Sequence, residues 1–287
     1  MNKTILIILA ISFITFSGKT QELDSTQLLL NEIEKSLDYQ IGSIELKSGN
    51  ATLNVPEGFY YLNKKQSIYV LTDLWGNPKD TTILGMLVPI DMGIFDKNSF
   101  VFIINFSKMG YVEDSDADNI DYDDLLNEMK EETGAESAER IKLGLEPIRL
   151  IGWASKPFYD KELKTLHWAK EIQFGGVESN TLNYNLRILG RNGVMILNAV
   201  AQTDALPRVK KNIRKIINCI QYKEGSKYSD FNPEVDNVAA WTIGGLVAGK
   251  VLAKTGFFVV LLKFWKLIAF GLLAACGTIW KYLTGQR

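Results

Sequence analysis

The alternation of apolar and polar residues predicts several β-strands in the middle of the chain. Residues 43–47 and 51–55 alternate with a period of two on either side of a Ser-Gly-Asn turn, a pattern typical of a β-hairpin. Residues 180–191 and 194–202 flank an Asn-Gly pair, which is the clearest hairpin signal in the sequence. Further strands are predicted at residues 84–89, 99–106, 148–154 and 165–174.

Helical periodicity predicts four helices between and after these strands. They cover residues 28–37, 63–75, 121–143 and 206–220. Asp121 is well placed to cap the third helix, and Pro207 lies in the first turn of the fourth. A mostly antiparallel sheet with flanking helices predicts an α+β domain over residues 22–236.

The N-terminal residues 1–20 have the pattern of a secretory signal peptide. A positive Lys3 precedes a short apolar run at residues 5–16, and small and polar residues follow. Twelve residues are too few to cross a bilayer, which needs about 20. The alternative is an uncleaved anchor or a buried helix at the start of the chain.

The C-terminal residues 238–283 are predicted to associate with a membrane. Residues 238–249 carry no charge, and residues 256–280 are apolar apart from two lysines and one threonine. A helix over residues 256–280 is long enough to cross a bilayer, since about 20 residues are required. The main crossing is therefore placed at about residues 256–280.

The predicted membrane anchor includes Gly245 and Gly249 together with four side chains of the main crossing. Lys263 and Lys266 are costly inside a bilayer, so they are expected to reach an interface or to face a polar groove. Trp265 and Trp280 suit the two interfacial belts.

A helical hairpin is the alternative geometry for this region. Residues 238–253 and 267–282 would form its two legs, either in the membrane or buried in a soluble protein. Gly245 and Gly249 form a Gly-x-x-x-Gly pair, which favours close contact between helices within one chain or in a homo-oligomer.

The formal net charge of −1 is the sum of unlike parts. Residues 22–236 contain 24 basic and 33 acidic residues, whereas residues 237–287 contain six basic residues and no acidic residue. This distribution argues against a nucleic-acid-binding protein, because such proteins present a strongly basic surface. The acidic domain is also expected to avoid anionic lipid.

Candidate metal ligands occur only in an acidic run before the third predicted helix. Asp114, Asp116 and Asp118 have the spacing of the first calcium ligands of an EF-hand. An EF-hand loop requires glycine at its sixth position and glutamate at its twelfth. These positions hold Asn119 and Leu125, which do not fit the loop. Capping of the helix is therefore the preferred role, and irregular calcium binding or binding of a cationic partner is the alternative. No cofactor is predicted.

Candidate catalytic residues are few. His167 is the only histidine and lies within a predicted strand, which favours a structural role. Asn183, Asn185 and Arg187 share one face of the next strand and could form a polar groove with His167, or a solvated sheet face. Carboxylates such as Asp160, Glu162 and Glu171 leave open a carboxylate-based enzyme, but their spacing does not favour it.

Several segments in order resemble a known family. They are residues 84–89 (LGMLVP), 120–126 (IDYDDLL), 151–154 (IGWA), 168–171 (WAKE), 181–191 (TLNYNLRILGR), 228–233 (YSDFNP) and 245–250 (GLVAGK). This set resembles the predicted bacterial membrane-anchored proteins grouped as domain-of-unknown-function family 2167. The resemblance implies a bacterial envelope protein whose family unit includes residue 238 onward, and it assigns no catalytic residues.

The leading hypothesis is a non-enzymatic binding or interaction module. It would be held at the bacterial inner membrane, with its main domain outside the cytoplasm and a protein partner of unknown kind. The alternatives are a carboxylate-based hydrolase or other enzyme of the envelope, and a membrane component that self-associates through Gly245 and Gly249.

Overall fold

The computed structural model describes most of the chain between the two apolar ends. It covers residues 19–77, 79–96, 98–144, 146–175 and 180–251, with side chains from residue 28 onward. Nearly all of the predicted signal peptide and the whole of the predicted main crossing lie outside these residues.

Two antiparallel sheets and five helices make up the described fold, so the predicted α+β class is confirmed. The strands are β1 (Ser43–Leu46), β2 (Ala51–Asn54), β3 (Phe59–Asn63), β4 (Ile83–Pro89), β5 (Val101–Ser107), β6 (Ile148–Asp160), β7 (Thr165–Phe174), β8 (Thr181–Leu189), β9 (Val194–Gln202) and β10 (Ile220–Tyr222). The helices are α1 (Lys19–Ser36), α2 (Lys64–Tyr69), α3 (Tyr122–Lys142), α4 (Leu206–Cys219) and α5 (Ile243–Ala248). A π-helical turn, Val70–Leu74, continues α2.

The large sheet has seven strands in the order β3-β4-β5-β9-β8-β7-β6. The small sheet has the order β1-β2-β10. Both predicted hairpins are present, and β8 pairs with β9 from Thr181 opposite Gln202 to Leu189 opposite Val194. The Asn-Gly pair between them therefore sets the register of the central strands.

Three strand features were not predicted. The sequence pattern predicted neither β3 nor β10. Strand β6 continues six residues beyond its predicted end at residue 154. The register of β6 against β7 shifts at three places between Leu150 and Phe158. Such bulges interrupt the alternation of buried and exposed side chains, so the pattern alone does not show that the strand continues.

Each face of the large sheet is covered differently. On the first face, α4 and the small sheet pack over the strand centres, where Leu53, Phe102, Leu186, Leu197 and Ile216 belong to one buried cluster. On the second face, α2 covers β3 and β4 at one side, and α3 with α5 covers β6 and β7 at the other. The described helices leave the middle of this second face, on β8 and β9, partly open.

The domain extends beyond its predicted end at residue 236. Ala239, Ile243, Leu246 and Val247 are buried in the same cluster as Trp168. This part of the uncharged stretch at residues 238–249 is therefore domain core, and the membrane assignment made for it from sequence is corrected. An uncharged run looks the same in sequence whether protein or lipid surrounds it.

None of the helices described within residues 19–251 is both long enough and apolar enough to cross a membrane.

The short helix α5 is held by a carboxylate from a distant loop. Asp116 accepts hydrogen bonds from the backbone N–H groups of Ile243 and Gly244, each at 3.1 Å. Thr242 Oγ1 accepts the next N–H, from Gly245, at 3.1 Å. Three of the N–H groups that a helix start leaves unpaired are thus satisfied.

Replacing Asp116 with alanine should destabilise the fold by about 1–2 kcal/mol, because α5 loses a capping carboxylate that pairs two backbone donors. Urea denaturation of the full chain would measure this change. Asp118→Ala is the matched control, since Asp118 makes only an exposed ion pair with Lys161 and should cost less than about 1 kcal/mol. Equal losses in the two variants would contradict the capping role.

Candidate functional site

Polar side chains occupy the open middle of the second sheet face. The set consists of Lys170 on β7, Asn183, Asn185 and Arg187 on β8, and Asn198 on β9, and it is called the polar strip below. The strand register places them together, because Lys170 is opposite Asn183, and Asn185 is opposite both Trp168 and Asn198. Residues directly opposite each other in paired strands lie on the same face.

One row of side chains across the large sheet passes through the polar strip. The row runs through Met86, Ile103, Asn198, Asn185 and Trp168. Its outer members contribute to the apolar clusters under the helices, whereas its centre consists of two amides. The polar strip therefore separates two apolar clusters on one sheet face.

Arg187 is the centre of the strip. Its Nη1 donates hydrogen bonds of 2.9 Å to Asn198 Oδ1 and to the Leu186 carbonyl, and its Nη2 lies 3.4 Å from Asn185 Oδ1. The guanidinium carbon lies 5.0 Å from the centre of the Trp168 ring, which is a cation–π distance. The side chain is thus fixed by two amides and an aromatic face.

The amides of the strip orient one another. Asn185 Nδ2 donates to Asn183 Oδ1 at 2.9 Å and to the Asn183 carbonyl at 3.0 Å. The oxygen of the buried Asn185 side chain then faces Arg187. This chain of hydrogen bonds fixes which atom of Asn185 points to the guanidinium.

The strip carries positive charge in a poorly solvated place. Burial lowers the pKa of Arg187 to about 10, so the guanidinium stays charged at neutral pH. Burial also lowers the pKa of Lys170, the nearby charge of Arg187 lowers it further, and Glu136 on α3 opposes both effects. The charge of Arg187 therefore disfavours the ionised form of Lys170 on the adjacent strand.

No carboxylate forms an ion pair with Arg187 among the described side chains. The described set contains all acidic residues of the chain except Glu22, Asp24 and Glu178. A guanidinium has five N–H donors, and the contacts above use three bonds, so donors remain. The buried Trp168 Nε1 also has no hydrogen-bond partner in the described part of the chain.

His167 is not part of the polar strip, so the predicted grouping with Asn183, Asn185 and Arg187 is corrected. It is opposite Leu186, on the first sheet face, and its Nδ1 lies 3.0 Å from the Tyr184 hydroxyl. Neighbouring residues of β7 point to opposite faces, and only the register against β8 decides which face His167 shares.

The three aspartates with EF-hand-like spacing make separate contacts. Asp114 accepts hydrogen bonds from the Tyr159 hydroxyl at 2.7 Å and from Lys164 Nζ at 2.8 Å. Asp116 caps α5, and Asp118 pairs with Lys161. Within the described residues no group of three or more histidine, cysteine, aspartate or glutamate side chains is placed to hold a metal ion.

The other predicted residues are found at scattered positions. Gly245 is buried inside α5, and Gly249 ends that helix with a φ of 77°. Lys263, Trp265, Lys266 and Trp280 lie outside the described residues. Of the carboxylates, Asp160 accepts the N–H groups of Glu162 and Leu163 in the β6–β7 turn, and Glu171 accepts from Asn180.

Sequence reasoning missed Trp168, Lys170 and Asn198 as members of the site. Asn198 did leave a signal, since it is the one amide inside the otherwise apolar run of β9 before Gln202. Trp168 and Lys170 left none, because their position beside Arg187 depends on the register of β7 against β8.

Comparisons with known proteins give a family and distant structural neighbours. The family model described as "Protein of unknown function (DUF2167)" matches residues 38–277, which contain the whole polar strip. No curated protein matches the chain.

Two solved structures are among the distant structural neighbours. The solution structure of cyanobacterial PsbP (CyanoP) from Synechocystis sp. PCC 6803 has 11% identity and a TM-score of 0.34, covering 64% of this chain and 92% of its own. A mutant of the protein Mog1 has 8% identity and a TM-score of 0.34, covering 65% and 96%.

The pKa of His167 should lie below its ordinary value of about 6.5, because burial disfavours the imidazolium ion; the charge of Asp160 opposes this shift and that of Lys210 supports it. Proton NMR can follow the one imidazole of the chain through a titration.

The unfolded chain should then take up this proton at a higher pH than the folded chain. The contribution of His167 to stability should be complete above about pH 6.5 and should be lost as the pH falls below it. The pH dependence should be smaller in His167→Gln, and Tyr184→Phe should keep the lowered pKa. A titration midpoint at or above 6.5 would contradict the burial argument.

Proposed function

The chain belongs to the DUF2167 family of proteins of unknown function, and we propose that it is a non-enzymatic binding module of the bacterial envelope that holds an anion at the polar strip. The observation that carries this proposal is Arg187, a largely desolvated cation that has no acidic partner among the described side chains.

A desolvated and unpaired cation is a poor way to stabilise a fold. Removing a charge from water costs several kcal/mol unless an opposite charge compensates it, and apolar replacements are often neutral or stabilising. The Arg187 side chain is nevertheless held in one orientation by Asn185, Asn198 and the Trp168 ring. An anion that enters would supply the missing charge and bind only the folded state.

The donors that remain around Arg187 suit an oxyanion. The planar fork of a guanidinium matches the two oxygens of a carboxylate or phosphate group. Lys170 adds a second positive charge from the neighbouring strand, and the Trp168 indole N–H is a further unpaired donor. The group would be a carboxylate or a phosphate, whether it belongs to a small molecule or to a protein partner.

The chemistry of the strip supports binding rather than turnover. The side chains in contact with Arg187 are two amides and an indole, and neither kind transfers protons at neutral pH. His167 lies on the other sheet face, and Asp160 caps a turn. Among the described residues, the side chains that contact Arg187 thus include no general base.

Two sequence patterns support a membrane-attached location. Residues 1–20 resemble a signal peptide, and residues 256–280 are long and apolar enough to cross a bilayer. We place the domain outside the cytoplasm at the inner membrane. Association through Gly245 and Gly249 is a weaker proposal, because Gly245 is buried in the domain.

Binding of inorganic phosphate or succinate should shift the indole N–H signal of Trp168 in a saturable way, and Arg187→Met should weaken this binding about tenfold or more. Hydrogen bonds to charged groups are worth about 1.5–3 kcal/mol, which corresponds to that loss. Side-chain NMR of the full chain would measure the shift, with Trp168→Phe used to assign the signal.

Arg149→Met is the matched control, since Arg149 is an exposed arginine of β6 that donates to Gln173. It should leave the affinities for inorganic phosphate and for succinate unchanged. Arg187→Met should still unfold in one cooperative urea transition, because removal of a desolvated charge offsets the loss of its hydrogen bonds. Equal weakening in both variants, or no response of the natural chain to either anion, would contradict the proposed site.

The full chain should stay in the membrane pellet after alkaline carbonate extraction, and a variant lacking residues 252–287 should be released. Protease added to intact spheroplasts should digest the domain. Release of the full chain would contradict the predicted anchor, and digestion only after lysis would contradict the external location.

A further inference from the structure

We propose that a cleft beside α4 binds short peptides whose two termini are free and charged. The cleft lies between α4 and two loops, at residues 57–59 and 89–92, and is called the α4 cleft below. Its volume is about 580 Å³, which is within the range of small-molecule sites. It borders the core of the first sheet face, so this inference goes beyond the anion site at Arg187 on the second face.

One wall of the α4 cleft is basic. It contains Arg208, Lys211 and Lys215, whose spacing of three and four residues places them in one stripe along the helix. Val209 and Ile213 lie in the neighbouring stripe and are buried in the core. The helix cannot turn the three cations away from the cleft without losing these core contacts.

Arg208 connects the basic wall to the loop opposite. Its Nη2 donates a hydrogen bond of 2.9 Å to the Asn98 carbonyl, and its Nη1 lies 3.6 Å from Met92 Sδ. Neither partner is charged, so the guanidinium keeps its full positive charge. The same contacts hold the loop after β4 against α4, and the cleft is therefore a fixed feature of the fold.

The other wall of the α4 cleft is acidic. The antiparallel pairing of β3 with β4 sets Phe59 opposite Pro89, so the residues just outside these strand ends are neighbours. They include Glu57 and Asp91, which are both exposed and both line the cleft. Two carboxylates from different loops thus face the three cations of α4.

The two walls do not neutralise each other by direct contact. Eight basic residues of the described chain form ion pairs, but none of these pairs joins Glu57 or Asp91 to a cation of α4. A ligand with an ammonium group at one end and a carboxylate at the other would satisfy both walls at once. A simple anion would meet two carboxylates, so charge complementarity favours a zwitterion.

The separation of the two walls favours a peptide over a single amino acid. Both charges of a free amino acid are bonded to one carbon, so they cannot contact opposite walls of the cleft. A peptide of about two to four residues spans about 7–14 Å when extended, which places its charged ends well apart. The basic wall would then receive the carboxylate, and the acidic wall would receive the ammonium group.

Apolar side chains lie between the two charged walls. Ile90 is 48% exposed and Met92 is partly exposed in the cleft. Beneath them Phe59 and Phe100 are buried in edge-to-face contact, with ring centroids 6.2 Å apart. An aliphatic side chain in the middle of the peptide would cover this surface and leave water. The ligand class is therefore a short peptide with an aliphatic residue between free termini.

Titration of the full chain in detergent micelles with the tripeptide Ala-Leu-Ala tests the site. The methyl signal of Met92, assigned with Met92→Leu, should shift in a saturable way. A charged contact in an open cleft is worth about fivefold in affinity. Acetylation of the amino terminus or amidation of the carboxyl terminus should therefore weaken binding about fivefold, and the doubly blocked peptide should not saturate the signal.

Variants of each wall test the direction in which the peptide lies. Lys211→Gln with Lys215→Gln should weaken binding about fivefold or more, and amidation of the peptide should then have no further effect. Glu57→Gln with Asp91→Asn should likewise remove the effect of acetylation.

Matched controls separate the two walls from total charge. Lys210→Gln with Arg214→Gln removes the same charge from exposed positions of α4 that do not line the cleft, and should leave the affinity unchanged. Asp73→Asn with Glu131→Gln is the corresponding exposed acidic pair. Arg187→Met should also leave the affinity unchanged, because its site is on the other sheet face.

Four results would overturn the proposal. They are the absence of a Met92 shift, equal binding of the doubly blocked peptide, equal binding of leucine, and equal weakening by the control pairs. Loss of peptide binding in Arg187→Met alone would assign the peptide to the anion site instead. Conversely, peptide binding by a chain that shows no response to phosphate or succinate would support the α4 cleft while the anion site failed.

Discussion

The antiparallel register of β7, β8 and β9 is the constraint on which the rest of the structure depends. These strands lie inside the large sheet, so both of their faces must be satisfied by packing, hydrogen bonds or solvent. On one face Tyr184, Leu186 and Leu197 join the core under α4. On the other face the same register brings Arg187, Asn185 and Asn198 together. A shift of one residue would exchange the two sets, placing a guanidinium in the core under α4 and leucines on the partly open second face. Core and candidate site are thus alternate residues of the same strands.

The helices cover only part of the second face of the large sheet. α2 and α3 pack on opposite sides of it, so β8 and β9 lie in a trough between two apolar clusters. The apolar walls reduce the access of water to Arg187, and this is what lowers its pKa. The hydrogen-bonded amides keep the side chain in place without neutralising it. A largely desolvated charge held in this way has few structural benefits, and this is the basis of the proposed anion site.

Sequence patterns predicted the elements better than their arrangement. The hairpin at Asn192-Gly193, the cap at Asp121 and the amphipathic α4 are local features, and the structure confirms each of them. The end of β6 was not predicted because bulges interrupt its alternation of buried and exposed residues. Residues 239–247 have the same apolar pattern in sequence whether they enter a protein core or a membrane. Asn183, Asn185 and Arg187 alternate along one strand, and this alternation is what groups them on one face in the sequence. His167 was misplaced because the face that it shares with β8 depends on register between strands, which no local pattern records.

The way in which residues 237–250 enter the domain has a mechanical consequence. The Tyr111 N–H donates to the Asn237 carbonyl, Asp116 holds the start of α5, and Lys250 pairs with Glu132 of α3. Tension applied to the chain beyond residue 251 would be carried first by the contact of Lys250 with α3 and then by the Asp116 cap, rather than by a slack linker. The loop at residues 111–118 and α3 would feel that tension before the strands did. Unfolding by a pull from this end would therefore start with extraction of α5 and exposure of the Trp168 cluster, on the side of the sheet that borders Arg187.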